Sequence, residues 1–259
     1  MPQYKLLHSK IIGQGKPLII LHGLLGMGDN WISLGRRFAD SGFQVHLIDQ
    51  RNHGKSFHSD QMQYESMVAD IERYFIHYNI YSANIIGHSM GGKTAMHFAV
   101  AHPDKVDKLV VVDIAPKNYP PHHHFIFDAI NSVDLQQFNK RNELAIFLQK
   151  RIDSPAIVQF ILKNLSRDSN GKFAWKANMK VLQAATGLLG EALAPYAIFE
   201  KPTLFIKGAQ SNYIKEQDAG LIMAHFPKAQ IVGISNAGHW VHAEQPNHFF
   251  DLVLNFLNS

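Results

Sequence analysis

The chain has no cysteine among its 259 residues, which removes disulfide frameworks, thiolate metal sites and cysteine nucleophiles together. That absence fits a reducing compartment. Charge of either sign is sparse: 25 Lys and Arg stand against 21 Asp and Glu, a surplus of +4. It is spread along the chain rather than gathered into the basic stripe that tracks nucleic acid, so no nucleic-acid partner is expected. A surplus of this size does permit a mild attraction for anionic substrates. No apolar run approaches the ~18 residues of a membrane span, and Met1 to Lys10 lacks the basic-then-apolar layout of a secretory signal. The expectation is a cytoplasmic protein with no membrane span. Apolar residues are plentiful, at 46% with 11% aromatic, enough for one large α/β domain or two small ones.

Short apolar runs at Pro17 to Leu21, Gln44 to Asp49, Ala83 to Gly87, Lys108 to Asp113, Pro202 to Gly208 and Ala229 to Ser235 read as buried parallel strands. Helical spacing fills Trp31 to Ser41, Tyr64 to Tyr78, Lys93 to His102 and Ile214 to His225, and Pro246 to Leu257 closes the chain. This alternation predicts an α/β fold with a mostly parallel sheet flanked by helices. Tyr4 to Ile12 is expected to pair as an antiparallel edge strand. From Lys117 to Lys201 the rhythm breaks. No strand is expected there, only helical segments such as Asn142 to Arg151, Ala156 to Leu165 and Met179 to Gly190, bracketed by Pro116, Pro120, Pro121, Pro195 and Pro202. The expected organisation is an α/β core of residues 1–116 and 202–259 with an inserted helical cap, or lid, of residues 117–201.

The segment from Ile85 to Met96 runs from an apolar strand through Gly87-His88-Ser89-Met90-Gly91 into a helix-like stretch. Gly-x-Ser-x-Gly in that context is a nucleophile elbow, a strained turn that lifts the serine Oγ above the sheet and needs residues without a Cβ around it. A serine hydroxyl is a poor nucleophile until a base, usually a histidine oriented by a carboxylate, takes its proton. Of sixteen histidines, His239 in Ser235-Asn236-Ala237-Gly238-His239-Trp240 is chosen by position, just after the last expected strand.

The acid has two candidate strand ends, since the expected order is Ser, Asp, His. Asp113 follows Leu109 to Val112, whereas the later loop, Ala209-Gln210-Ser211-Asn212-Tyr213, carries no carboxylate. Asn212 could orient an imidazole but could not stabilise its cation, so Asp113 is the choice; Asp218 is a weaker rival expected in a solvated helix. Oxyanion donors are expected from the backbone N–H groups of Met90 and of Leu24, the latter in His22-Gly23-Leu24-Leu25-Gly26. Asp49 to Ser56 reads as a structural loop, with Asp49 and Arg51 hydrogen-bonded to backbone. His122-His123-His124 is not expected to bind a metal. Among Phe125, Phe127, Phe138, Phe147, Phe160 and Trp175, some could line an acyl pocket, though cap core is the expected role for most.

Taken together, His-Gly-Leu-Leu-Gly, Asp-Gln-Arg-Asn-His-Gly-Lys-Ser, Gly-His-Ser-Met-Gly-Gly and Gly-His-Trp resemble the α/β-hydrolase superfamily over nearly the whole chain. Val112 to Pro116 and Gly208 to Tyr213 are more narrowly similar to the bacterial YbfF-type esterases, relatives of the ABHD11 hydrolases. The resemblance implies a carboxylesterase acting on a small-molecule acyl ester, with acyl-CoA thioesters among its substrates and no cofactor. It carries the nucleophile to Ser89, the base to His239 and the oxyanion donors to Leu24 and Met90. Where members of the superfamily place aspartate after the later strand, this chain has Asn212, which favours Asp113. Serine at the elbow argues against the dehalogenases and epoxide hydrolases that use aspartate. A C–C bond hydrolase or lyase built on the same elbow, and a ligand receptor without turnover, are the remaining alternatives.

Overall fold

The computed structural model describes residues 5–121 and 124–259. Its strands are β1 (Ser9–Ile12), β2 (Lys16–Leu21), β3 (Phe43–Ile48), β4 (Ala83–His88), β5 (Val106–Val112), β6 (Leu165–Arg167), β7 (Phe173–Trp175), β8 (Thr203–Gly208) and β9 (Ala229–Ile234). Its α-helices are α1 (Ile32–Asp40), α2 (Tyr64–His77), α3 (Met90–Ala101), α4 (His124–Asn131), α5 (Arg141–Gln149), α6 (Pro155–Leu162), α7 (Met179–Ala184), α8 (Ala219–His225), α9 (Val241–Glu244) and α10 (Pro246–Asn258). Seven strands form one sheet in the order β1-β3-β2-β4-β5-β8-β9. Only β1 runs antiparallel, against β3; the other pairs are parallel.

The sheet is apolar on both faces because its side chains alternate between two cores. In β2, Ile19 and Leu21 join one core with Ile71, Tyr74 and Phe75 of α2 and Phe98 of α3. Leu18 and Ile20 join the other, with Phe38 of α1 and Phe249 and Val253 of α10. Helices on both faces follow from that pattern. A third core holds Phe127 of α4, Leu144 and Leu148 of α5, Ile161 of α6 and Leu182 of α7, and it continues into Leu25, Tyr64, Met67 and Met90. The segment between β5 and β8 therefore packs onto the loops after β2 and β4 rather than standing apart from them.

That segment corrects one expectation: β6 and β7 pair antiparallel, Leu165 with Trp175 and Arg167 with Phe173. Three residues a side are too few to show a period of two. The local signal lies in the turn, where Asp168 Oδ1 accepts from Asn170 N and Lys172 N at 2.9 Å and Gly171 takes φ 75°. The helical reading of Met179 to Gly190 also shortens, with α7 ending at Ala184 and a separate 3₁₀ turn at Leu188–Gly190. At the other end of the chain Tyr4 lies outside the described residues, and edge pairing begins only at Ser9.

The loop after β3 is structural, as its composition suggests. Asp49 accepts from Gly28 N at 2.7 Å and from Lys55 N at 2.9 Å. Arg51 donates to the carbonyls of Gln61 and Ser66 and forms a two-pronged pair with Asp70, at 2.6 and 2.9 Å. Both partners are buried, so breaking the pair leaves an uncompensated charge. Asp70→Asn is expected to cost about 3 to 5 kcal/mol of unfolding free energy, read as a lowered urea midpoint with unchanged slope.

Candidate active site

Parallel pairing brings the C-terminal ends of β2, β4, β5 and β8 to one edge of the sheet. There β4 delivers Ser89 with φ 53° and ψ −118°, immediately before α3. Such a backbone conformation is costly for a residue with a side chain and persists only where the surroundings enforce it. They do so by close approach: a Cβ on Gly87 would lie 2.3 Å from Gly91 O, and one on Gly91 would lie 2.4 Å from Leu21 O. Neither position admits alanine without backbone movement. Ser89 N donates to Val112 O at 3.0 Å, tying the turn to β5.

Ser89 Oγ lies 3.0 Å from His239 Nε2, and His239 Nδ1 lies 2.8 Å from Asp113 Oδ2. With Nδ1–H donated to the carboxylate, the Nε2 lone pair is left to accept the serine proton. Asp113 follows β5 at φ 51°, is fully buried, and also accepts from Gly208 N at 3.1 Å and from Ser211 Oγ. Burial pushes its carboxyl up from 3.8 to about 6, against the opposing pull of the Ser211 and Gly208 hydrogen bonds. The Tyr213 ring stacks on His239 with centroids 3.9 Å apart. His88 Nε2–H donates to His239 O at 2.9 Å, and burial holds the His88 imidazole at about 3, so it is neutral.

The loop after β2 is held as firmly. Gly23 O accepts from Gly26 N at 2.9 Å and from His22 Nδ1–H at 2.8 Å, and Leu25 N donates to His53 Nε2 at 3.1 Å. Met90 opens α3, where a helix leaves its first N–H groups without intrahelical acceptors. Leu24, Ser89 and Met90 share one small cavity. Beside it lies a larger one of about 210 Å³, walled by Leu25, Trp31, Ile126, Ile157, Phe160 and Trp240.

Of the residues singled out from sequence, Ser89, His239 and Asp113 meet in one hydrogen-bonded chain, with Leu24 and Met90 alongside. Asn212 is exposed. Asp218 is a correction: it is buried, not solvated, because Lys117 reaches it at 2.6 Å and Lys215 N donates to it. Phe125 and Phe160 reach the larger cavity, whereas Phe127 is core, Phe138 packs on Phe147, and Trp175 packs against the third core. His122 and His123 lie outside the described residues. Sequence reasoning missed Ser211 and Tyr213, whose only signal was a place in the loop already searched for a carboxylate.

The buried carboxylate carries a stability consequence. Folded Asp113 holds its proton up to about pH 6, but only up to 3.8 when unfolded, so the folded state binds more protons between those values. Stability falls as pH rises through that window, and the full cost is present above it. Asp113→Asn should therefore melt higher than the parent at mildly alkaline pH, with the gap closing as pH is lowered through 6 toward 3.8; thermal unfolding across a pH series measures it.

The comparisons agree with this architecture. The α/β hydrolase fold family matches residues 16–246. The chain is 35% identical to the sn-1-specific diacylglycerol lipase ABHD11 of Mus musculus, over 93% of this chain and 80% of that protein. It is also 35% identical to esterase YbfF of Escherichia coli K12, over 94% and 93%. A marine microorganism esterase of known structure superposes with a TM-score of 0.95 at 44% identity, covering 98% of this chain and all of that one. Among the described residues no helix is long and apolar enough to cross a membrane. The chain belongs to the α/β-hydrolase fold family, and it is a hydrolase.

Proposed function

We propose that this hydrolase cleaves carboxylic esters by two-step acyl transfer, with Ser89 as nucleophile, His239 as general base and acid, and Asp113 as the carboxylate that orients and stabilises the imidazolium. The observation that carries the reading is the unbroken relay from Ser89 Oγ through His239 to Asp113, at 3.0 and 2.8 Å. His239 takes the hydroxyl proton as Ser89 Oγ attacks the carbonyl carbon. The tetrahedral intermediate collapses as His239 returns that proton to the departing oxygen. Water, deprotonated by His239, then attacks the acyl-enzyme, and His239 returns that proton to Ser89 Oγ as its bond to the acyl carbon breaks and the acid is released. Through both steps the N–H groups of Leu24 and Met90 receive the charge on the carbonyl oxygen.

The mostly apolar cavity beside Ser89 suits an acyl chain. Residues 117–201 act as its cap: Ile126, Ile157 and Phe160 form part of the wall, and Phe160 meets Trp240 across the cavity with ring centroids 5.7 Å apart. Acyl-CoA thioesters present the same carbonyl and a better leaving group, and they belong to the same proposal. The chemistry needs no metal or organic cofactor. Support comes from the esterase and lipase names of the relatives and from the full set of partners around Ser89.

A panel of p-nitrophenyl esters and acyl-CoA thioesters of graded chain length tests the reading with purified protein. Ser89→Ala is expected to abolish turnover on every substrate the parent accepts; undiminished activity would overturn the assignment. Asp113→Asn is expected to lower kcat by about 10⁴, while Asn212→Ala leaves it unchanged. The reverse ranking would move the orienting role to Asn212.

A further inference from the structure

Asn164 sits at the end of α6, fully buried, and its side chain leaves the inserted segment for the loop after β2. Its Nδ2 donates to Leu25 O at 2.7 Å. Its Oδ1 is buried and has no hydrogen-bond partner among the described residues, so the amide is committed to that single contact. Leu25 has φ 60°, a conformation that a leucine keeps only when its surroundings over-determine it. The peptides on both sides are gripped. Leu25 N donates to His53 Nε2 at 3.1 Å, and His53 is fixed in the accepting tautomer by the 2.9 Å contact of Nδ1 with Arg51 O.

A trans peptide points its C=O and N–H in opposite directions, so holding one aims the other. Asn164 holds Leu25 O and thereby aims Gly26 N, the other end of the same peptide. Gly26 N donates to Gly23 O at 2.9 Å, and His22 Nδ1–H donates to the same oxygen at 2.8 Å. Gly23 O is one end of the peptide whose other end is Leu24 N–H. Two rigid peptide planes therefore connect a side chain of the inserted segment to the N–H of Leu24, a residue that shares a small cavity with Ser89. The segment touches the second grip as well: Asn178 N donates to Asn52 O at 2.9 Å, next to His53.

Resting on the acyl-transfer reading above, we propose that Asn164 is a positioning residue through which the cap aims the Leu24 oxyanion donor, so that a seated cap is part of the catalytic geometry and not merely a cover. A cap that lifts withdraws the Nδ2 donor, frees the peptide between Leu25 and Gly26 to rotate, and loosens the turn that orients Leu24 N–H. Removing the Asn164 donor while the cap stays seated leaves substrate binding largely intact, because the walls formed by Trp31, Ile126, Ile157, Phe160 and Trp240 do not depend on that peptide.

Asn164→Leu keeps the volume and removes the donor; Asn164→Ala is the second variant should the first fail to fold. Loss of a whole oxyanion donor costs about 10²- to 10³-fold in kcat. A donor that is mis-aimed rather than deleted should cost about 10- to 100-fold, with KM nearly unchanged. The discriminating readout is a trifluoromethyl ketone matched to the best ester. Its hemiketal oxyanion needs the Leu24 donor, so its Ki should rise by the factor that kcat falls, while Ki for the corresponding product acid stays level. Parent-like kcat and ketone affinity in either folded variant overturn the proposal, as does a loss confined to KM. Ser89→Ala, run alongside, separates the two readings: undiminished turnover there sinks the acyl-transfer reading itself, whereas an inactive Ser89→Ala with a fully active Asn164→Leu sinks only the role of Asn164.

Discussion

Parallel register is the constraint on which the site depends. Leu21 of β2 sits opposite Gly87 of β4, His88 of β4 opposite Val112 of β5, and Val112 opposite Ile206 of β8. Neighbouring strands lie about 4.8 Å apart, so the next few residues of each strand end within side-chain reach of one another. Ser89 is one residue past β4, Asp113 one past β5, and Leu24 three past β2. No long-range search by flexible loops is needed to assemble them. The same edge bears most of the left-handed residues that are not glycine: Leu25, Asn52, Ser89, Asp113 and Asn236 follow β2, β3, β4, β5 and β9. Each costs about 1 to 3 kcal/mol, and each turns the chain sharply at that edge instead of continuing the sheet.

Those conformations are what sequence reads least well. The strands and the helices flanking the sheet were legible because burial on both faces produces apolar runs, and because Gly87 and Gly91 mark a turn where a Cβ collides with backbone. Ser89 and His239 were legible for the same reason, standing at strand ends beside glycine. Asp113 was reached by asking which strand end still offered a carboxylate. Ser211 was not, since a serine hydroxyl bonded to a carboxylate looks in sequence like any loop serine. Asp218 was misjudged because its partner, Lys117, lies about a hundred residues away, and pairing across that separation leaves no local pattern. The ribbon of β6 and β7 was missed because each strand is too short to show alternation.

The histidines packed around the relay are buried and neutral. His22 is held at about 4, His53 and His88 at about 3, each chiefly by burial, and a neutral imidazole can accept at one nitrogen while donating at the other. That dual capacity is used throughout: His22 accepts from Gln50 N while donating to Gly23 O, and His53 accepts from Leu25 N while donating to Arg51 O. A protonated ring would lose its acceptor, so burial does more than fill space. It fixes tautomers, and the tautomers fix the backbone.

Burial acts in the opposite sense on Asp113, where it opposes the charge on which an imidazolium at His239 would draw. The hydrogen bonds from Gly208 N and Ser211 Oγ reduce that opposition without cancelling it, since the carboxyl still rests near 6. A more polar setting would stabilise the fold and weaken the field at His239, because electrostatic interactions strengthen as water is excluded. On the proposed acyl-transfer reading, stability and reactivity therefore pull on this one carboxylate from opposite sides. Its place at the sheet edge, fully buried yet supplied with donors from the loop after β8, is where the two demands are reconciled.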